Sequence, residues 1–570
     1  MAQKPIVFKS WRDLPLMAAS SGDMTINKTG SWRNVEPHHV EQVPPCTFRC
    51  PAGNDIVAFV TLTAAGRLED AWHSLMSTSP FPGTCGRVCP HPCEFECNRD
   101  SMGGSINIHG IERYLGDLFQ EKQLTLKKAP DTGKSVAVIG SGPAGLSAAY
   151  QLALQGHNVT VFEEQHQTGG MLRLGIPDYR LPQDVLDSEI NRIVELGVEI
   201  ITDTRVGDSI TYDELMSVND ALFVAVGFTH SRALGAKNDD TNGVLPGIDV
   251  LRRINQGMPD GVGQRVMVVG GGNTAMDVSR SLLRLGKNVR VMYRRTRIEM
   301  PAIAEEIEEL IEEGIEIDFL ATPVEVLKEN GSLSGVKCIR MKLGDPDESG
   351  RRRPEPVQGS EFTVELDTII TAIGETADLS FLPDEILAKT SWNIPADDLG
   401  RTPEDKLYAG GDVADGAGTV TAAIGYGRRA ALAIHAQLME TQVEDKAVFP
   451  PSLRNRTGHM VRFNDLNTAY FEDIPRTEPI MLPSKERINS FDEVRDGFNE
   501  ITARQEAERC FSCGTCPSCD NCWVFCPDAA ITPVANDSEK LYVVDYEYCK
   551  GCGICEAECP RSCIVMKPVR

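Results

Sequence analysis

From Lys134 onward the apolar residues of this chain fall into short unbroken runs, Val136–Ile139 and Val266–Val269 among them, each closed by glycine. Such a run, stopped by a turn signal, predicts a strand buried on both faces, as in a parallel sheet. Behind each run the spacing widens to a helical period, as in Leu146–Leu154, and a further strand follows, Asn158–Phe162 or Asn288–Met292. Strand, helix, strand repeated in this order is the pattern of a doubly wound α/β domain. Residues 131–250 and 251–372 therefore read as two such domains. The second carries a strand-rich stretch around Val324–Lys342, and 373–440 returns to the first through a strand at Leu407. Arg351-Arg-Arg-Pro-Glu-Pro reads as a solvated hairpin tip rather than a binding patch.

Outside this core the rhythm changes. Residues 46–130 have helical spacing over Asn54–Leu62 and Leu68–Leu75, broken by proline-rich cysteine loops. Residues 1–45 show little periodicity and predict an extended arm. Residues 441–505 are polar with several prolines and predict a linker, and 506–570 a separate small module.

A length of 570 residues allows three or four full domains. The net charge of −25 argues against nucleic acid or an anionic membrane as partner. The first residues lack the apolar stretch of a signal peptide, and no run approaches a membrane span, so the expected location is the cytoplasm. There, thiols are more suited to metal or cluster ligation than to disulfides. The 18 cysteines are also segregated: Cys46 to Cys97 in one group, Cys510 to Cys563 in another, and Cys338 between.

The glycines that end the buried runs have a second meaning. Gly140-x-Gly142-x-x-Gly145, with Pro143 and Ala144 inside it, joins a strand to a helix. The next strand ends at Glu163-Glu164, about 20 residues on, where a ribose hydroxyl is expected. Gly270-x-Gly272-x-x-Ala275, with Asn273 and Thr274, repeats the arrangement, but its second strand ends in Arg294-Arg295. Arginine there suits a 2′-phosphate, which its planar fork takes bidentately; the alternative is a pyrophosphate or a surface carboxylate. Two loops predict two dinucleotides, a flavin at the first and NAD(P)H at the second. Gly411-Asp412 would place a carboxylate on the ribityl chain. The helix starting near Thr419, Thr421 and Ala422 would point its N-terminus at the flavin pyrimidine edge.

The C-terminal cysteines form two tandem runs of bacterial ferredoxin type, in which the fourth cysteine ligates the other cluster. One [4Fe–4S] set is Cys516, Cys519, Cys522 and Cys559; the other is Cys549, Cys552, Cys555 and Cys526. Zinc is the competing reading, and with it a non-catalytic scaffold. Cys563 falls where the first run has Ala530, a place for a small packed residue.

Cys46-x-x-x-Cys50-Pro and Cys85-Gly-Arg-Val-Cys89-Pro-x-x-Cys93-x-x-x-Cys97 fit no zinc pattern. With both glycine loops, Gly169-Gly-Met-Leu-Arg-Leu-Gly-Ile-Pro and Tyr293-Arg-Arg-x-x-x-x-Met-Pro, residues 46–440 resemble the glutamate synthase small subunit. They are similar also to the N-terminal half of dihydropyrimidine dehydrogenase and to the large subunit of electron-bifurcating ferredoxin:NADP oxidoreductase. The resemblance implies FAD at the first loop, touched by Gly170, Met171 and Arg173, NAD(P)H at the second, and two [4Fe–4S] clusters in the helical domain. It implies Cys50, Cys89, Cys93 and Glu112 as ligands of the flavin-proximal cluster, against a helix-surface salt bridge for Glu112.

The distal cluster of the family uses a Cys-x-x-Cys upstream of Cys46, and this chain has none. Cys510-x-x-Cys513 reads like the missing segment. Either it folds back to join Cys46 and Cys97, giving four clusters in all, or the distal cluster is lost and these four thiols are free. Lys28-Thr-Gly-Ser-Trp-Arg33 and the C-terminal runs resemble the delta subunit of pyruvate:ferredoxin oxidoreductases. That implies electron exchange with a thiamine-diphosphate-dependent 2-oxoacid oxidoreductase, with ferredoxin as a further partner. The alternative is a glutamate-synthase-type reductase feeding another enzyme. The expected fold is α/β: two Rossmann-like dinucleotide-binding domains, preceded by a helical iron–sulfur domain and followed by a small α+β ferredoxin domain.

Overall fold

The computed structural model describes residues 9–10, 28–443 and 459–570, apart from 121, 123, 330, 348, 391, 417, 535–540 and 570. Most of the first 27 residues of the expected arm, and 444–458 of the expected linker, lie outside the described residues.

The continuous apolar runs become the middle strands of two five-stranded parallel sheets. In the first, Ser135–Ile139 lies between Ala221–Val224 and Asn158–Phe162, with Leu407–Ala409 and Glu199–Ile201 at the edges. In the second, Arg265–Val269 lies between Thr368–Thr371 and Asn288–Tyr293, flanked by Val244–Pro246 and Glu316–Phe319. The strand Val244–Pro246 falls before residue 250, yet it belongs to the second sheet. A separate antiparallel sheet is built from Ala321–Glu329, Ser332–Pro346, Arg352–Pro356 and Phe362–Glu365. No helix among the described residues is long and apolar enough to cross a membrane.

The helical domain spans Ile56–Ala64, Leu68–Met76, Pro82–Val88 and Ile108–Leu118. It shares one core with the first sheet domain: Phe59, Trp72 and Leu75 continue into Val138, Ala148, Leu152 and Ile434. Glycine lets helix Val420–Leu438 reach both partners. A Cβ on Gly425 would lie 2.0 Å from Pro51 O, and one on Gly427 2.1 Å from Ala144 O.

Two expectations about the ends change. The arm packs on the C-terminal module, which is therefore not separate: Val35–His39 pairs antiparallel with Ile564–Pro568, and Gly30 N donates to Glu547 O at 2.8 Å. Residues 30–39 and the C-terminal residues thus build one module. Residues 459–499, expected as a linker, are instead a strap bound along its length. Asn98 Nδ2 donates to Val461 O (3.0 Å) and Asn107 Nδ2 to Thr477 O (2.9 Å). Glu493 pairs with Arg87 and Arg113 of the helical domain, and Arg495 with Glu305 and Glu309 of the second sheet domain. Polar, proline-containing sequence is compatible with such a strap because many of its partners are side chains and carbonyls of other elements, while Val461, Leu466 and Phe471 anchor it on Phe511.

Candidate active site

Both glycine loops open into one cavity of about 750 Å³. In the first loop each glycine has its own task. Gly140 has φ +102°. A Cβ on Gly142 would meet nothing within 4 Å, and one on Gly145 would lie 1.9 Å from Gly140 O. The turn, the open cradle and the tight helix–strand contact are therefore all present. Helix Pro143–Leu154 starts without a side-chain cap, as does Asn273–Arg284 after Gly272. Uncapped N–H groups facing open space are what a pyrophosphate needs, so the loops fit both dinucleotides.

Gly140, Gly142, Pro143, Ala144, Glu163, Glu164, Gly170, Met171, Gly411, Asp412 and Thr419 line the cavity on the first domain's side, and Asn273 and Thr274 on the second's. Glu163 is buried and accepts from Ser141 N (2.9 Å), Ser141 Oγ (2.6 Å) and Gln165 N (2.9 Å), so it also stiffens the loop it faces. Burial raises the Asp412 carboxyl above its ordinary range, while Gly418 N donates to Oδ1 at 2.8 Å. Gly145, Gly270 and Ala275 are not in the lining, in keeping with turn and packing roles; Gly272 is not in it either, although a Cβ there would meet nothing within 4 Å.

Five further expected residues lie outside the lining, Arg294 among them. Arg173 donates to Thr168 O (2.6 Å) and Gln183 Oε1 (2.7 Å) and pairs with Asp187, which holds it off the flavin side. Ala422 is spent on the cap, its N donating to Thr419 Oγ1 at 3.3 Å. Thr421 turns inward, its Oγ1 3.4 Å from Cys89 Sγ. Arg295 is buried, donating to Arg352 O (2.8 Å) and pairing with Asp347 at 2.7 Å; only Arg294 is exposed at that strand end. The hairpin tip read as merely solvated is thereby pinned beside the site, and Arg351 lines the cavity. Glu375 lines it too. Burial raises the Glu375 carboxyl, and Thr274 Oγ1 donates to it at 3.4 Å. Its signal was available: Ala372-Ile-Gly-Glu375 ends a strand much as Ala409-Gly-Gly-Asp412 does.

All eighteen thiols are free, and fifteen of them gather in four sets. Burial pushes Cys522 up to about 12, with Cys516, Cys519 and Cys559 beside it and Cys555 beyond. Cys555 is likewise pushed up to about 12 by burial, among Cys549, Cys552 and Cys526. The two runs are equivalent: Ala530 N donates to Cys526 Sγ at 3.3 Å and Cys563 N to Cys559 Sγ at 3.2 Å. Cys563 is the buried counterpart of Ala530.

The third set joins chain segments more than 400 residues apart. Burial raises Cys46 well above the ordinary thiol value, with Cys97, Cys510 and Cys513 as its charged neighbours. Asn98 Nδ2 donates to Cys513 Sγ at 3.4 Å. A clamp just ahead makes the fold-back: buried Glu506 accepts from Asn107 N (2.8 Å) and Thr477 N (3.0 Å). Arg509 donates to Gly103 O and Gly104 O, both at 2.7 Å, and pairs with Glu506. The fourth set is Cys50, Cys89 and Cys93 with Glu112. Burial, then the Glu112 charge, pushes Cys50 up to about 11. Glu112 is buried, accepts from Asn54 Nδ2 at 3.1 Å and makes no ion pair among the described residues. A buried carboxylate without a cation fits iron better than a surface salt bridge.

The sets lie in series. Cys522 neighbours Cys555, Gly514 N beside Cys513 donates to Arg561 O near Cys559 (2.8 Å), and Cys46 is among the charges felt by Cys93. Cys89 meets Thr421 on the helix whose first residues line the cavity.

Known proteins resemble this chain in both its nucleotide-binding and its cysteine-rich regions. Residues 134–427 match the pyridine nucleotide-disulphide oxidoreductase family, 41–124 the 4Fe-4S domain II of dihydropyrimidine dehydrogenase, and 542–565 a 4Fe-4S binding domain. The NADP(+)-dependent formate dehydrogenase subunit beta of Moorella thermoacetica is 40% identical over 501 residues, 82% of this chain and 70% of that one. The NADPH-Fe(3+) oxidoreductase subunit beta of Geobacter sulfurreducens is 39% identical, over 84% and 76%. The glutamate synthase [NADPH] small chain of Escherichia coli is 36% identical, over 68% and 87%. FAD, NAD(P)H and [4Fe–4S] clusters are the cofactors of this fold. With two nucleotide loops facing one cavity and cluster domains at both ends, the chain belongs to the pyridine nucleotide-disulphide oxidoreductases, in the iron–sulfur-bearing branch that includes the glutamate synthase small chain.

Proposed function

We propose that this chain is the electron-transfer subunit of a larger oxidoreductase, exchanging electrons between NADP(H) and a partner enzyme through FAD and four [4Fe–4S] clusters. The observation that carries the reading is the serial placement of four donor sets, from the C-terminal module to the helix at the dinucleotide cavity. With the groups bound, the flavin converts the two-electron chemistry of nicotinamide into the one-electron steps of the clusters.

The chain's own part is binding and exclusion. Cys516, Cys519, Cys522 and Cys559 would hold one cluster, and Cys526, Cys549, Cys552 and Cys555 the next. Cys46, Cys97, Cys510 and Cys513 would hold the distal cluster, and Cys50, Cys89, Cys93 and Glu112 the proximal one. Gly142 leaves room for the FAD pyrophosphate, Glu163 and Asp412 offer carboxylates to its hydroxyls, and Thr419 caps the helix at the cavity. Hydride transfer requires no side-chain base, and none is assigned.

Arg294 is the exposed cation for a 2′-phosphate, while Arg295 positions the hairpin. The names of the relatives, which specify NADP(+) or NADPH, support that choice. Arg294→Gln is expected to raise KM for NADPH by about 10- to 100-fold, through loss of roughly 1.5–3 kcal/mol of charged hydrogen bonding. The KM for NADH should stay unchanged. Equal losses with both nucleotides would remove the 2′-phosphate role.

For the partner we favour a thiamine-diphosphate-dependent 2-oxoacid oxidoreductase, with ferredoxin as a further redox partner. The support is that the arm packs on the cluster module, joining the two segments that resemble one delta subunit. The formate dehydrogenase relative favours a second reading, a formate-oxidising partner. Mass spectrometry of the co-purified complex, with FAD reduction followed after adding a 2-oxoacid and coenzyme A or after adding formate, separates them. Reduction by formate alone would end the 2-oxoacid assignment.

A further inference from the structure

The flavin-proximal set holds one donor more than a four-iron cluster has open corners. Besides Cys50, Cys89, Cys93 and Glu112 it contains Cys85, a fully buried thiol for which no side-chain hydrogen bond is found among the described residues. The backbone puts it there. Helices Pro82–Val88 and Ile108–Leu118 touch without side chains between them: a Cβ on Gly86 would lie 2.4 Å from Arg113 N, and one on Gly116 2.4 Å from Gly83 N. Cys85 and Glu112 are the residues immediately before Gly86 and Arg113, one on each side of that crossing. Burial raises the Cys85 thiol, and the charges it then feels come, in order, from Glu112, Cys89, Glu189 and Cys50. Three of these four belong to the proximal set itself. Glu189 is engaged elsewhere, accepting from Gly83 N and Thr84 Oγ1, both at 2.6 Å, at the start of the same helix.

We propose that Cys85 is the alternative fourth ligand of the proximal cluster: Glu112 occupies that corner in the native enzyme, and Cys85 takes it when the carboxylate is withdrawn. The inference rests on the reading that Cys50, Cys89, Cys93 and Glu112 hold this cluster. The exchange balances without redox change. One iron–oxygen bond breaks and one iron–sulfur bond forms, and the Cys85 proton passes to the released Glu112 carboxylate. Carboxylate and thiolate differ in donor strength, so the exchange would retune the potential of the cluster nearest the flavin.

The test uses the anaerobically purified full-length protein, with iron, sulfide and FAD content and the EPR spectrum of the reduced state as readouts. Glu112→Ala is expected to keep all its iron and FAD but to show shifted g-values and a shifted midpoint potential. Cys85→Ser should match the wild type. The double variant should lose about four iron per chain while keeping FAD, which reports that the fold is intact. Glu112→Leu, closer in volume, repeats the test with less cavity. Loss of iron by Glu112→Ala or Glu112→Leu with FAD retained would overturn the exchange, as would a double variant that keeps its iron. Cys93→Ser separates the two levels: if it too retains all iron, the proximal ligand set itself is wrong.

Discussion

Replacing Cys510 and Cys513 together with alanine is expected to lower the iron content from about 16 to about 12 per chain, by the four-iron stoichiometry of each cluster. Electron transfer between FAD and the C-terminal clusters should slow by orders of magnitude, while NADPH oxidation by a small dye stays near the wild-type rate. The reason is position. The set of Cys46, Cys97, Cys510 and Cys513 lies between the C-terminal sets and the proximal one. Removing two thiols leaves Cys46 and Cys97 without a cluster to hold, and the path acquires a gap where it was continuous. Iron analysis and stopped-flow reduction read the two effects separately. A double variant with full iron and an unchanged internal rate would show that the fold-back brings thiols together without making them ligands.

The second large effect is on stability. Glu506→Ala should destabilise the protein by roughly 3–5 kcal/mol, the range for removing one partner of a buried ion pair. Glu506 and Arg509 are almost completely buried, and Glu506 also satisfies two backbone N–H groups, at Asn107 and Thr477. Without the carboxylate, the Arg509 charge and both N–H groups are left in a site closed to water. Denaturant titration of the variant against the wild type measures the loss, and a change under about 1 kcal/mol would place Glu506 among ordinary surface pairs. The same contact means that removing residues 506–570 takes away more than the ferredoxin module. The strap and the helical domain lose their clamp as well.

Much of the chemistry was legible before any fold was known. Gly140-x-Gly142-x-x-Gly145, and each Cys-x-x-Cys-x-x-Cys run, place their groups within one turn of chain. Local backbone geometry then decides the outcome, and the spacing carries the information. The strands Asn158–Phe162 and Ser135–Ile139 were equally plain, because a strand buried on both faces must be apolar at every position. The arginine pair after Asn288–Tyr293 shows where such reading stops. Sequence marks two cations at a strand end. Whether each faces a nucleotide or a neighbouring hairpin depends on Asp347 and the Arg352 carbonyl, more than fifty residues on. Thr421 is a similar case: two residues past the Thr419 cap, the helix turns it away from the cavity and toward Cys89.

The sequence by itself determined the two dinucleotide loops, the parallel strands that carry them and the grouping of cysteines within each ferredoxin-type run. Each of these follows from residues a few positions apart. Only the tertiary structure decided that Cys510 and Cys513 meet Cys46 and Cys97, that the arm completes the C-terminal module, and that 459–499 is a strap. It also decided that Cys85 stands with the proximal donors. These arrangements depend on chain closure over hundreds of residues, through a buried Glu506–Arg509 clamp, a strand pairing of Val35–His39 with Ile564–Pro568, and a glycine crossing of two helices. The free energy of such closures comes from contacts between distant segments, and no periodicity within either segment encodes its partner.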